Sequence, residues 1–96
     1  MKNKDLVIKA VEYLRTLESG TEISTCRVLH NVFGLREEDG KYRVGENSIS
    51  FGDMFELDDA IRKAAKESGL MIDTSKYKNA VMGLPFHIPY AVKKKN

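Results

Sequence analysis

Residues 70–92 read LMIDTSKYKNAVMGLPFHIPYAV, in which two apolar segments flank a polar, lysine-containing middle. Residues 70–72 form a short apolar run, and large apolar side chains alternate with other residues over 86–92. Alternation with a period of two is typical of a half-buried strand. We therefore expect these two segments to pair as an antiparallel hairpin with residues 75–79 at its tip.

Two prolines interrupt the second of these segments. Pro85 and Pro89 lie four residues apart, so their missing N–H groups would face the same lateral side of a strand. A strand tolerates such a side only at the edge of a sheet, where no neighbour needs the donors. We therefore predict that residues 86–92 form an edge strand.

Two amphipathic helices are predicted in the first third of the chain. The first covers residues 4–18 after Asn3, whose side chain can accept a hydrogen bond from a free N–H of the first turn. The second begins at Ser24 or Thr25 and ends at Gly34, the residue type that commonly follows a helix. A short extended segment lies between the two helices.

A third helix is predicted after a long polar connection. Residues 35–53 contain turn residues and two short alternating segments, one of them including Ile49 and Phe51, so we expect a small hairpin or an ordered loop. The helix should begin at Asp53, where Asp-x-x-Glu resembles a capping box, and end at Gly69. The apolar positions at helical spacing are Leu6, Val7, Ala10, Val11, Leu14 and Leu17, then Val28, Leu29, Val32 and Phe33, then Met54, Leu57, Ile61, Ala64 and Ala65.

The composition is typical of a single globular α+β domain over residues 1–96. Hydrophobic residues make up 42% of the chain and charged residues 31%. The apolar runs are far shorter than the ~20 residues of a membrane span, and no signal-peptide core follows the amino terminus. A lone cysteine, Cys26, is typical of a reducing compartment. We expect a cytoplasmic protein with no membrane partner, and a flexible basic tail over residues 93–96.

The predicted order of helix, extended segment, helix, helix and two-stranded hairpin resembles winged-helix domains over residues 4–93. The resemblance implies a three-helix body with a C-terminal two- or three-stranded antiparallel β-hairpin. It also implies DNA binding and transcriptional regulation, with residues 54–68 in the major groove and residues 73–84 on the phosphate backbone. The nineteen residues of the connection 35–53 depart from the short turn that is usual in these domains.

Basic residues that can contact phosphates lie on the third predicted helix and in the last third of the chain. Residues 70–96 contain five lysines and one aspartate, which favours a polyanionic partner. A solvated hairpin tip followed by a disordered tail explains the same charges equally well. The expected nucleic-acid-binding residues are Arg62, Lys63, Lys66, Lys76, Tyr77, Lys78, Lys93 and Lys94.

Acidic residues at the start of the third helix oppose the DNA interpretation. Asp53, Glu56, Asp58 and Asp59 would face phosphates there, and the helix macrodipole explains their position without any DNA. The alternative partner is a protein or a second copy of the chain, bound on an adaptable apolar surface. Core packing is the ordinary role of the residues that would form such a surface, which are Met54, Met71, Met82, Phe55 and Phe86.

The sequence contains no familiar catalytic or metal-binding motif. Cys26 and His30 stand four residues apart, but structural zinc needs about four ligands, and only Asp73 and His87 remain as contributors. His87 would need a nucleophile or carboxylate within hydrogen-bond reach to act as an acid or base, and sequence alone does not identify such a neighbour. We therefore expect no enzymatic activity, no metal, no cofactor and no small-molecule substrate.

Overall fold

Three helices alternate with short strands in the computed structural model, which describes residues 3–77 and 83–94. The predicted α+β class is confirmed. Two 3-10 turns cover Ser75–Tyr77 and Pro85–His87. The helices and strands are α1 (Asn3–Thr16), β1 (Thr21–Ile23), α2 (Thr25–Phe33), β2 (Arg36–Glu38), β3 (Lys41–Val44), β4 (Asn47–Ile49), α3 (Phe51–Glu67), β5 (Leu70–Asp73) and β6 (Tyr90–Lys94).

The described strands form two separate three-stranded antiparallel sheets. The first has the order β1–β6–β5, so that Val92 on the central strand lies opposite Thr21 on one side and Ile72 on the other. The second is the meander β2–β3–β4, in which Tyr42 lies opposite Glu37. This second sheet fills the connection between α2 and α3, where we expected a hairpin or an ordered loop.

The ends of α2 agree with the prediction. The Oγ of Ser24 accepts a hydrogen bond from the N–H of Arg27 at 3.2 Å, so Ser24 is the N-cap. Gly34 ends the helix with a φ of 72°, a left-handed conformation that glycine adopts without steric strain. The first helix is also close to its predicted range, although it ends at Thr16.

The third helix begins before the predicted residue. The Oγ of Ser50 accepts a hydrogen bond from the N–H of Asp53 at 3.1 Å, so Ser50 is the N-cap and α3 begins at Phe51. Asp53 therefore lies inside the first turn and is not the cap. The start is hard to recognise in the sequence because Phe51 alternates with Ile49 like a strand residue and precedes a helix-weakening glycine, Gly52.

The last strand differs from the prediction in both extent and position. Pro85 begins a 3-10 turn, in which its carbonyl accepts a hydrogen bond from the N–H of Ile88 at 3.2 Å. Strand β6 begins only at Tyr90, directly after Pro89, and it is the central strand of its sheet. A central strand needs its N–H groups for both neighbours, so proline is excluded from it. The edge-strand prediction is wrong.

The basic residues at the end of the described chain belong to the sheet. Lys94 lies opposite Leu70, and Lys93 lies opposite Met71, so a flexible tail does not begin at residue 93. Residues 95–96 lie outside the described residues. The same holds for residues 78–82, which include Lys78 of the expected hairpin tip and Met82.

The hydrophobic core lies between the three helices and the first sheet. Helix α1 packs against α2 and α3, and α3 also contacts β5. The second sheet joins this core through Tyr42 and Val44, which are both buried. Within the described ranges, no helix has the combination of length and apolar character that crossing a membrane requires. The buried apolar residues of the helices and first sheet include Leu6, Ala10, Leu14, Val28, Leu29, Met54, Leu57, Ile61, Ala65, Tyr90 and Val92.

Candidate interaction surface

A buried polar network connects α2, α3 and β6. The hydroxyl of Thr25 donates to Oδ1 of Asp58 at 2.6 Å, and the hydroxyl of Tyr90 lies 2.9 Å from the same threonine oxygen. Burial raises the pKa of Tyr90 to about 12, so its hydroxyl keeps its proton at neutral pH and donates to Thr25. Every polar group of the network therefore has a partner, which is the condition for burying it without a large loss of stability.

Arg62 extends this network to the 3-10 turn at Pro85–His87. Its Nε lies 3.2 Å from Oδ1 of Asp58 and its Nη2 lies 3.1 Å from Oδ2, a bidentate pair. The same Nη2 donates to the carbonyl of Pro85 at 3.0 Å, and the guanidinium lies 5.2 Å from the ring centre of Tyr90. Arg62, which we predicted to bind nucleic acid, is thus engaged inside the protein and fixes the turn against α3.

This turn carries the centre of an aromatic cluster. The ring of Phe86 is fully buried, and its centre lies 5.2 Å from that of Phe55 and 5.6 Å from that of Tyr42. The ring of Phe51 lies 5.6 Å from Tyr42 and 6.4 Å from Phe86. These separations fall within the range of favourable aromatic pairs. The second sheet, the start of α3 and the 3-10 turn therefore meet in one cluster.

Two rings of the cluster remain open to solvent. Phe51 is 49% exposed and Phe55 is 43% exposed, although both belong to a well-packed chain. They lie one helical turn apart on α3, so their exposed faces are adjacent. We call Phe51 and Phe55 together the aromatic surface. The side chains of Asp53, Glu56 and Asp59, also on the first half of α3, are exposed as well.

A cleft of about 250 Å³ adjoins the aromatic cluster. The hydroxyl of Tyr42 lies 2.6 Å from Nε2 of His87, and the Sγ of Cys26 lies 3.9 Å from the same nitrogen. His30 lines the α2 side of the cleft and is held by a contact of 2.9 Å between its Nδ1 and the carbonyl of Leu35. The remaining lining residues are Ser24, Arg27 and Glu37.

The cleft does not have the electrostatics of a cysteine nucleophile. Burial, followed by the negative charges of Glu37 and Asp58, raises the pKa of the Cys26 thiol to about 12. A catalytic cysteine needs the opposite shift, because the thiolate is the reactive species. The pKa of Tyr42 is also raised to about 12, mainly by burial, so its hydroxyl keeps its proton. In the described part of the chain, no three potential ligands come together to hold a metal ion.

Two lysines of the predicted nucleic-acid-binding set are engaged in ion pairs. Lys76 lies 3.1 Å from Glu22 on β1, a contact that raises the lysine pKa. Lys93 lies 2.9 Å from Asp73 across the first sheet. Both pairs are exposed to solvent, where an ion pair contributes only about 0–1 kcal/mol.

The other described members of the predicted set lie on α3, on β6 and in the 3-10 turn after β5. Lys63 and Lys66 are exposed on the second half of α3, and Lys94 is exposed near the end of β6. Tyr77 is half-buried in the 3-10 turn after β5, with its ring 5.7 Å from the ammonium of Lys76. Lys78 lies outside the described residues.

Sequence reasoning did not find the aromatic surface as a unit. The sequence places Phe55 in an apolar set, but Phe51 alternates with Ile49 like a strand residue, and no sequence pattern distinguishes Tyr42 as a site residue. Tyr42, Phe51 and Phe86 come from distant parts of the chain, so only their packing in space brings them together. The available signal is the presence of two aromatic residues, Tyr42 and Phe51, inside the largely polar 35–53 connection. No protein-family model, no curated protein and no solved structure matches this chain.

Proposed function

We propose that this chain is a non-catalytic binding module with a winged-helix-like scaffold, and that a protein docks on its aromatic surface. The half-exposed pair Phe51 and Phe55 at the start of α3 carries the proposal. Aromatic residues are enriched at protein interfaces, and a few of them often supply most of the binding energy. An apolar partner would remove the exposed parts of both rings from water.

The scaffold part of the proposal is supported by the order of the helices and strands. Helix, strand, helix, helix and two paired strands follow one another, as they do in the winged-helix domains that the sequence resembles. The inserted β2–β3–β4 sheet lies directly before α3, where those domains usually have a short turn. A cytoplasmic location also remains a proposal, supported by the single thiol of Cys26.

The charges around the aromatic surface favour a protein over DNA at this position. A helix that reads DNA generally presents its first turns to the bases, between two rows of phosphates. The first turns of α3 instead present Phe51 and Phe55 together with the exposed carboxylates of Asp53, Glu56 and Asp59. Those carboxylates would repel phosphates, whereas the rings suit an apolar protein partner.

A selection from a random peptide library displayed on phage tests the proposal. The selected peptides should bind the wild type and lose at least about tenfold in affinity with Phe55→Ala, the loss expected for an interface anchor. Ile8→Ala is the matched control, because Ile8 is a similarly exposed apolar residue, 48% exposed, on α1. Selected peptides that bind Phe55→Ala and wild type equally well would contradict the proposal.

DNA binding through another face is the second candidate function. Lys63 and Lys66 are exposed on the second half of α3, and the exposed pairs of Lys76 and Lys93 are weak enough to exchange a carboxylate for a phosphate. Titration of duplex DNA at about 50 and about 200 mM salt tests this candidate. Binding that Lys63→Ala/Lys66→Ala weakens, with a shallower salt dependence, would support it. Absence of binding at the lower salt concentration would exclude it.

A further inference from the structure

Acidic residues lie at both ends of the row of rings that includes the aromatic surface. Glu37 lies opposite Tyr42 in the second sheet, and Tyr42 contacts Phe51. At the other end, Asp59 follows Phe55 by one helical turn on α3. Glu56 is also exposed and is an i,i+3 neighbour of Asp59. The order is therefore Glu37, the buried ring of Tyr42, the exposed rings of Phe51 and Phe55, and then the carboxylates of Glu56 and Asp59.

These carboxylates are available to a partner. No described basic residue forms an ion pair with Glu37, Glu56 or Asp59, whereas Glu22, Asp58 and Asp73 each have a basic partner. Lys63 lies one turn beyond Asp59 on α3, and Arg27 and His30 line the α2 side of the cleft. Glu37 therefore shares the cleft with a basic residue of α2, whereas Glu56 and Asp59 lie beside Phe55 on α3, outside the cleft lining.

A second copy of the chain is a poor complement to this surface. In a two-fold dimer, the same patch of each copy faces its equivalent. Contact through Phe55 would then bring Glu56 and Asp59 of both copies close to one another. Like charges that face each other across an interface oppose association, so they act against pairing of two copies of this chain.

We propose that the partner presents a basic amphipathic segment, in which one or two large apolar side chains are flanked by lysine or arginine. This inference rests on the proposed protein-binding function and specifies the chemistry of the partner. The apolar side chains would contact Phe51 and Phe55, and the flanking cations would pair with Glu56, Asp59 and Glu37. An arginine over either exposed ring would add a cation–π contact.

Two pools of synthetic peptides with the same apolar positions test the inference. One pool has lysine and arginine at the flanking positions, and the other has glutamate there. Binding is measured by fluorescence anisotropy at about 50 and about 200 mM salt. The basic pool should bind the wild type at least about tenfold more tightly than the acidic pool, and Phe55→Ala should weaken that binding at least about tenfold.

Charge-neutralising variants separate the partner's charge from its apolar contacts. Glu56→Gln/Asp59→Asn should weaken binding of the basic pool by about threefold to tenfold and make it less dependent on salt. Asp5→Asn/Glu12→Gln removes the same charge from exposed positions of α1 and is the matched control, which should bind like the wild type. Circular dichroism of each variant verifies that it is folded.

The outcomes distinguish this inference from the function on which it rests. Equal, Phe55-dependent binding of the acidic and basic pools would overturn the basic-partner inference and leave protein binding in place. Equal binding by Glu56→Gln/Asp59→Asn and by its control would overturn it in the same way. Failure of both pools to bind in a Phe55-dependent manner would count against both proposals.

Discussion

The buried carboxylate of Asp58 accepts hydrogen bonds from Thr25 on α2 and from Arg62 on α3. Asparagine at this position would keep the shape but lose the charge, and hydrogen bonds to a charged group contribute about 1.5–3 kcal/mol. Arg62 would then be left next to an uncharged partner in a half-buried site. We expect Asp58→Asn to lower the free energy of unfolding by about 2–3 kcal/mol, as measured by urea denaturation.

The neighbouring residue supplies the control for this prediction. Asp59→Asn removes the same charge from the next position of α3, where the carboxylate is exposed. An exposed substitution of this kind normally changes stability by less than about 0.5 kcal/mol. Equal losses for the two variants would show that the buried network does not contribute in the way the contacts suggest.

The thiol of Cys26 is expected to react slowly with iodoacetamide. Its pKa of about 12 leaves a far smaller thiolate fraction near neutral pH than that of an unperturbed cysteine. We expect alkylation of the folded protein to be at least about a hundredfold slower than that of the urea-unfolded protein, as followed by mass spectrometry. Glu37→Gln should raise the rate, whereas Glu38→Gln, outside the cleft lining, should not. Equal rates for folded and unfolded protein would contradict the raised pKa.

The end of strand β5 should respond to acid through Asp73. Its carboxylate accepts hydrogen bonds from the backbone of Ser75 and from Lys93, both at 2.9 Å, and these contacts, those of Ser75 first, lower its pKa. A carboxyl group with a lowered pKa stabilises the fold above its unfolded pKa of about 3.9 and loses this contribution as the pH falls through the folded pKa. Asp73→Asn should therefore melt below the wild type at neutral pH.

Acid should remove the difference in melting temperature between wild type and Asp73→Asn. The melting temperatures of wild type and Asp73→Asn should converge gradually as the pH falls from about 3.9 towards the lowered folded pKa of Asp73, because only below that folded pKa are both side chains uncharged. Thermal unfolding followed by circular dichroism at a series of pH values measures the two curves. A difference that stays constant into strong acid would mean that Asp73 acts through its shape and not through its charge.

The helices and strands that could be predicted are those specified by nearby residues. Ser24 and Gly34 delimit α2 because the side-chain cap and the left-handed C-cap are local interactions. The start of α3 was missed because Ser50 was not recognised as a cap before an exposed Phe51. The extent of β6 was missed for a different reason. Its place between β1 and β5 is a long-range pairing, and this pairing excludes Pro85 and Pro89 from the strand.

The aromatic surface could be predicted from the sequence only in part, because its contacts join residues that are far apart in the chain. Phe55 could be placed in an apolar set from its sequence, but its contact with Phe86 depends on how the 3-10 turn packs on α3. Arg62 is a residue type that commonly binds phosphate. Its i,i+4 spacing from Asp58 is visible in the sequence, but only the fold shows that this pair is largely buried and that the guanidinium also donates to the Pro85 carbonyl. The sequence therefore shows residue types and local spacing, whereas the burial of a charged side chain depends on neighbours far along the chain.

The acidic residues beside Phe55 predict that the isolated protein is a monomer. Two copies joined through the aromatic surface would bring Glu56 and Asp59 of each copy into proximity, which opposes dimerisation. Sedimentation velocity should therefore give the mass of a single chain, 10.9 kDa. A dimer that Phe55→Ala dissociates would assign the aromatic surface to self-association.

The hydrogen bond from Arg62 to the carbonyl of Pro85 also has a practical consequence for mapping the binding site on this chain. Overlapping fragments that tile the chain are a common way to locate an epitope. A fragment containing α3 alone would carry Phe51 and Phe55 but would lack the turn that supports their rings. The affinity measured with such a fragment would be lower than that of the intact chain, so point substitutions in the intact chain are the appropriate method.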